Sequence, residues 1–301
     1  MRALVTGAGG FVGGHLIRHL ESCADDVIGT DRSTDGLDIL DAPALLERFN
    51  NARPEVVYHL AGASDVGGSW RTPQITFRAN AEGTLNVLWA AREAGVQRVL
   101  TVGSADVYGK VTPDELPLRE TSPTRPTSPY AASKVAAEAV ATQAYLGFGQ
   151  QVLHVRPFNH LGPGQSTRFV APALAERIAR NERDGATEVP VGNLSSQRDF
   201  TDVRDVVRAY RMLIAEGTPG LIYNVCSGKA IAVEELAREL LELSTLDQKL
   251  VPDPDLQRPV DIPVLLGDCT ALRDGTGWTP EIPLRETLAD LLEDMRARVA
   301  R

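Results

Sequence analysis

Tyr130 and Lys134 stand four residues apart in Pro129–Phe148, an alanine-rich stretch whose pattern predicts a helix opening at Ser128-Pro129. That spacing puts both side chains on one helical face. A phenol with a pKa near ~10 is a poor acid or base at neutral pH. A neighbouring ammonium favours the phenolate, so the pair suits proton exchange with a hydroxyl or carbonyl. Ser104 closes the predicted strand Arg98–Gly103 and could hydrogen-bond the same oxygen, and Asp106 adds a carboxylate two residues on. A second constellation, Gly7-Ala8-Gly9-Gly10-Phe11-Val12-Gly13, lies between the predicted strand Ala3–Thr6 and the predicted helix Gly10–Glu21. Gly7 permits the tight turn, Gly10 lets a pyrophosphate reach the backbone, and Gly13 lets the helix lie close on a sheet. The N–H groups of the first helical turn, at Phe11, Val12 and Gly13, and the positive end of the helix dipole suit phosphates. The expected cofactor is a dinucleotide. Asp31 follows the second predicted strand where an acid takes ribose hydroxyls, which favours NAD(H), whereas Arg32 could hold the 2′-phosphate of NADP(H). Asp38 and Ile39, in the next loop, are placed to reach the adenine.

The elements that must position these groups alternate. Strands are expected at Ala3–Thr6, Asp26–Thr30, Val56–Leu60, Arg98–Gly103 and Gln151–Val155, and helices at Gly10–Glu21, Ala42–Phe49, Gln74–Glu93 and Pro129–Phe148. The apolar runs do not alternate with polar residues, which suits strands buried on both faces of a parallel sheet. The fold class is α/β: a Rossmann doubly wound parallel sheet with a smaller α/β C-terminal substrate-binding cap. After Arg156 the pattern loosens. Helices fit at Phe169–Arg180, Val203–Glu216, Ala232–Leu243 and Pro283–Val299, and strands at Glu188–Val191 and Ile222–Val225. Proline-rich Leu250–Pro263 reads as an ordered connection, and the second half shows no clear core of its own. Residues 1–157, with returning segments such as 198–226, are expected to form the dinucleotide-binding domain, and 158–301 mainly the cap.

The 301 residues carry 31 Lys and Arg against 40 Asp and Glu, a net charge of -9, which argues against nucleic-acid and membrane-surface partners. Cys23, Cys226 and Cys269 form no CxxC pair and no metal-ligand spacing, so reduced thiols and no metal are expected. No targeting segment and no apolar run of ~18 residues stands out. A cytoplasmic location is expected.

Taken together, the glycine motif, Asp38, His59-Leu60-Ala61-Gly62, Asn80 with Gly83-Thr84, Ser104 to Gly109 and Tyr130 to Lys134 resemble the extended short-chain dehydrogenase/reductases along essentially the whole chain. Within that family the chain is similar to the branch of GDP-mannose 4,6-dehydratases and GDP-4-keto-6-deoxymannose reductases. That likeness is carried by Arg156 to Gln165, Gly192 to Leu194 with Gln197 to Asp205, Tyr223 to Gly228 and Arg258 to Pro263. The resemblance implies a nucleotide-diphosphate sugar, GDP-linked, as substrate. It implies Ser104, Tyr130 and Lys134 as the catalytic set and cofactor contacts from Leu60, Ala61, Gly62 and Asn80. Sugar or pyrophosphate contacts fall to Ser64 and Asn159, and the diphosphate to Arg198 and Arg258. Asp261 would meet the ribose or base, and Phe169-Val170 would lie near the base. An acidic protein that binds a diphosphate needs such local guanidinium forks.

The 4,6-dehydratases usually place a threonine at Ser104, an acid or serine next, and then a glutamate that takes the C5 proton. Here the tripeptide is Ser104-Ala105-Asp106, with one methylene fewer on the acid. The resemblance therefore points to reduction of the C4 keto group of a GDP-4-dehydro-6-deoxyhexose to a GDP-6-deoxyhexose such as GDP-rhamnose. The alternatives are a 4,6-dehydratase, an NAD-dependent C4 epimerase and, in another class, a non-catalytic nucleotide sensor. The family also implies a homodimer in which helices Gln74–Glu93 and Pro129–Phe148 build a four-helix bundle with their copies.

Overall fold

Apolar runs that do not alternate with polar residues need cover on both faces, and the computed structural model supplies it. It describes residues 1–256 and 263–300. The strands are β1 (Arg2–Thr6), β2 (Asp26–Thr30), β3 (Val56–His59), β4 (Arg98–Val102), β5 (Val152–Pro157), β6 (Asn159–Leu161), β7 (Glu188–Val191), β8 (Gln197–Asp202), β9 (Ile222–Val225), β10 (Ala230–Ala232), β11 (Lys249–Pro252) and β12 (Val264–Leu265). The α-helices are α1 (Phe11–Ser22), α2 (Ala42–Ala52), α3 (Val66–Ser69), α4 (Pro73–Phe77), α5 (Gly83–Glu93), α6 (Pro129–Phe148), α7 (Val170–Asp184), α8 (Val203–Glu216), α9 (Val233–Glu242), α10 (Thr270–Thr276) and α11 (Leu284–Val299).

Six strands form one sheet in the order β2-β1-β3-β4-β5-β9, and every neighbouring pair is parallel. Successive strand residues serve opposite layers. Ala3, Val5, Tyr58 and Leu100 pack under α1 and α8. Leu4, Val57 and Val99 pack under α2, α5 and α6. This is the doubly wound architecture expected. The chain order reverses at β1, which opens a crevice outside the carboxyl ends of β1 and β3.

The second half differs from expectation in three ways. Leu161, Leu174, Ile178, Leu236, Leu240 and Leu291 belong to a buried cluster drawn entirely from residues after 160, so this half does have a core of its own. Leu250–Pro263 is not merely a connection, because β11 pairs in parallel with β7. Prolines are tolerated there because each strand of a two-stranded ribbon has one unpaired edge. Finally, β6, β8, β10, β12 and α10 have no counterpart in the periodicity. β8 reads Gln-Arg-Asp-Phe-Thr-Asp, yet its last four residues are buried. Its central Asp199 is satisfied by Ser227 N and Oγ and by Gly228 N, so a charged residue can sit where an apolar one would be expected.

Candidate active site

The carboxyl end of β4 carries Ser104, which caps a short 3-10 turn, Ala105–Tyr108: its Oγ accepts the Asp106 N–H at 3.2 Å. α6 starts where the sequence signals it, with Ser128 Oγ accepting the Ala131 N–H and Pro129 in the first turn. Ser69, at the end of α3, backs this start by accepting the Tyr130 N–H at 3.3 Å. Tyr130 is buried, and its phenol meets Ser104.

Three influences within the chain act on the phenol's pKa. Burial raises it, the Asp106 carboxylate raises it further, and only the hydrogen bond with Ser104 works the other way. Lys134 reaches from α6 to the end of β4. Its Nζ donates to the Val102 carbonyl at 2.8 Å and lies 5.9 Å from the Tyr130 ring centroid. Burial pushes Lys134 down to about 8.

The cofactor motif is a cradle. A Cβ on Gly13 would fall 2.2 Å from the Gly7 carbonyl oxygen, and Gly7 itself has φ +75°. α1 begins after Gly10 with no side-chain cap and no acid in its first turn, so the N–H groups around Phe11, Val12 and Gly13 face the turn with no protein anion to satisfy them. These features fit a pyrophosphate. Asp31 Oδ1 accepts from Ser33 N and Oγ, and both side chains lie against Gly9. Exposed Arg32 approaches Asp38 at 3.9 Å. Asp38 accepts the Leu40 N–H, and Ile39 packs on Gly83.

The other expected positions spread around this crevice. Leu60, Ala61 and Gly62 follow β3, and the Ala61 N–H reaches Thr6 Oγ1 at 3.3 Å. Asn80 spends its amide on protein: it accepts Ala63 N–H and donates to Ala63 O and Ser133 Oγ, so it grips the loop after β3 and α6 together. It sits in a π-helical turn, Arg78–Glu82, that joins α4 to α5, so the single helix expected over Gln74–Glu93 is interrupted at this residue. Ser64 is exposed on the loop after β3. Asn159 opens β6, Phe169 and Val170 start α7, and Arg198 lies on β8. Arg258 and Asp261 fall outside the described residues.

His59 adds a pH dependence. It bridges Thr6 Oγ1 at 2.8 Å and Thr84 Oγ1 at 3.1 Å, and burial pushes it down to about 3. His154 is pushed down to about 4 for the same reason. Between pH 6.5 and these values the unfolded chain binds protons that the folded chain does not, so stability falls as pH drops below 6.5. Each imidazole is expected to cost about 2 kcal/mol at pH 5. Urea unfolding at pH 7 and pH 5 checks this, and equal midpoints would refute it.

Sequence reasoning missed Glu138, Arg156, Tyr108 and Ser69 as members of the site's framework. Glu138 alone carried a usable signal, as an acid four residues after Lys134 on an otherwise apolar helical face.

A parallel sheet with a phosphate cradle at its switch point and a Ser–Tyr–Lys set at the end of β4 defines a dinucleotide-dependent enzyme. Residues 3–226 match the family model described as the NAD dependent epimerase/dehydratase family, and the chain belongs to that family. It is 38% identical over 300 residues to the GDP-6-deoxy-D-mannose reductase of Pseudomonas aeruginosa, covering 99% of this chain and 98% of that protein. It is 33% identical to the UDP-glucose 4-epimerase of Mycolicibacterium smegmatis, covering 98% and 99%. Among solved structures it is similar to RMD from Pseudomonas aeruginosa complexed with NADPH, with a TM-score of 0.91 and 36% identity over 99% of this chain and 100% of the other. NAD(P) is thus the cofactor of the family and of its structural neighbours. Among the described residues, no helix is long and apolar enough to cross a membrane.

Proposed function

We propose that the chain reduces the C4 keto group of a GDP-4-dehydro-6-deoxyhexose to a GDP-6-deoxyhexose of the GDP-rhamnose kind. The observation that carries this reading is the tripeptide Ser104-Ala105-Asp106, in which Ala105 cannot donate a proton and the acid is one methylene shorter than the glutamate that the resemblance assigns to a 4,6-dehydratase. Reduction of a carbonyl needs a proton donor, and the Tyr130 phenol beside Ser104 can supply it. Full-length likeness to a protein named GDP-6-deoxy-D-mannose reductase supports the same substrate class.

When bound, NAD(P)H supplies the hydride. Gly7, Gly10, Phe11, Val12 and Gly13 hold its pyrophosphate, Asp31 the ribose or Arg32 a 2′-phosphate, and Asp38 and Ile39 the adenine side. Leu60, Ala61 and Gly62 line the crevice, and Asn80 acts on it through Ala63. Ser104 polarises the carbonyl, and Tyr130 donates its proton to the oxygen as negative charge develops there. Lys134 keeps an ammonium close enough to stabilise the phenolate that remains. Asp106 favours the protonated phenol until then. Ser64, Asn159, Phe169, Val170 and Arg198 take the sugar nucleotide, with Arg258 and Asp261. In this reading residues 1–157 with 198–226 hold the cofactor, 158–301 mainly hold the substrate, and the enzyme works in the cytoplasm.

The test is incubation with GDP-mannose, NADH and NADPH, with and without a GDP-mannose 4,6-dehydratase. Cofactor oxidation only when the dehydratase is present is the expected result. A new sugar nucleotide formed from GDP-mannose by this chain alone would overturn it.

The reading includes a homodimer through a four-helix bundle. Ile75 and Phe77 on α4, Leu85 and Trp89 on α5, and Leu146 and Phe148 on α6 are exposed. A groove along α6 is lined by Val135, Ala139, Leu146 and Gly147. Exposed apolar residues concentrated on these helices mark an interaction face. Sedimentation is expected to give the mass of two chains, and Leu146→Asp with Phe77→Asp the mass of one. A single-chain mass for the unaltered protein would exclude the dimer.

A further inference from the structure

Ser104 and Tyr130 belong to separate elements, the end of β4 and the start of α6, so the gap between them depends on contacts across the fold. Besides Lys134, which reaches the Val102 carbonyl, a side chain that ties α6 to the Ser104 turn is Arg156 on β5, only 3% exposed. Its Nε and Nη2 donate to the two oxygens of Glu138 at 2.8 and 2.6 Å, a bidentate fork onto α6. Its Nη1 donates to the Tyr108 hydroxyl at 3.0 Å and to the Glu120 carbonyl at 3.0 Å. The guanidinium also lies 4.9 Å from the Tyr108 ring centroid.

Each partner leads straight to a reacting group. Glu138 is one turn beyond Lys134 on the same face of α6, so holding its carboxylate sets the height and rotation of the helix that bears Tyr130 and Lys134. Tyr108 ends the 3-10 turn that Ser104 caps. Its hydroxyl passes the restraint on by donating to Asn224 Oδ1 at 2.6 Å on the neighbouring β9. His154, two residues before Arg156, stands 3.4 Å from Glu138 with its other ring nitrogen 2.7 Å from Thr101 Oγ1 on β4. The network is anchored on three adjacent strands of the sheet. A buried ion pair of this kind is weak as a source of net stability, so stability alone is a poor reason for its presence.

We propose that Arg156 is a positioning residue: it sets the separation of Ser104 and Tyr130 by holding α6 through Glu138 and the Ala105–Tyr108 turn through Tyr108. The proposal rests on the reading of Ser104 and Tyr130 as reacting groups. A lysine cannot form the fork and reach Tyr108 at once. Displacement of the proton donor by about an ångström is enough for a ~100-fold loss.

Arg156→Lys is therefore expected to lower kcat by about 100-fold in the coupled dehydratase assay, with the NADPH dissociation constant measured by calorimetry unchanged. In a Tyr130→Phe background the same change is expected to cost less than about 3-fold, because the geometry it spoils no longer matters. If Arg156→Lys does not fold, Glu138→Gln and Tyr108→Phe remove one arm each and are expected to show the same dependence on background. Equal losses with and without Tyr130, or a lower melting temperature with unchanged kcat, would overturn the proposal. Full activity of Tyr130→Phe alone would instead remove the catalytic reading on which it rests.

Discussion

Replacing Tyr130 with Phe is expected to lower kcat by about 1,000-fold while leaving the fold and cofactor affinity intact. General acid catalysis by one positioned group contributes on the order of 100- to 10,000-fold. Ser104 accepts or donates a hydrogen bond with the phenol, and the Asp106 carboxylate raises the phenol's pKa. The ring stays, and the backbone N–H still reaches Ser69. The loss should therefore fall in kcat, with thermal unfolding within about 2 °C of the parent. Turnover equal to the parent enzyme would remove Tyr130 as proton donor, and absence of turnover with any sugar nucleotide in the parent protein would favour a sensor.

Gly13→Ala is expected to weaken NADPH or NADH binding by about 100-fold. The added Cβ would stand 2.2 Å from the Gly7 carbonyl oxygen and 3.0 Å from Ala8 Cα and O. All three are backbone atoms of the phosphate turn, so no side chain can rotate away. Relief requires α1 to lift from the turn, which withdraws its N–H groups from the pyrophosphate. Overpacking of this kind costs about 3 kcal/mol, a ~100-fold change in a dissociation constant. Gly14→Ala is the control. Its Cβ meets only the Arg18 guanidinium at 3.5 Å, and alanine in place of glycine favours a helix by up to about 1 kcal/mol. Calorimetric titration of both variants checks the contrast, and equal affinities would show that the close approach of α1 is not what holds the phosphates.

The parts of the fold that were legible are those where one residue type has one use. Short non-alternating apolar runs could only be strands covered on both sides, and β1 to β5 lie where the runs are. Gly7, Gly10 and Gly13 stand between a strand and a helix, where the need for bare backbone leaves little choice of residue. Ser128-Pro129 marked the start of α6 because capping is local and its chemistry is confined to a few residue types. The second half was less legible. β8 is polar in sequence and buried in fact, since Asp199 and Asp202 are satisfied by groups far along the chain or by helix capping. A hydrophobic pattern carries no trace of that compensation. The π turn at Asn80 was hidden for the same reason, because it answers to Ala63 and Ser133, and neither is near it in sequence.

The sequence by itself determined the sheet, the phosphate turn and the i,i+4 placement of Tyr130 and Lys134, because each depends on contacts within a few residues. Only the tertiary structure decided how those groups behave. Lys134 donates to Val102, and burial and the Asp106 carboxylate raise the Tyr130 phenol, influences that spacing alone does not show. Arg156 reaches Glu138 and Tyr108 across three elements. The physical reason is range. Propensity and capping act over one turn of chain, whereas burial and charge act through space on whatever the fold brings near.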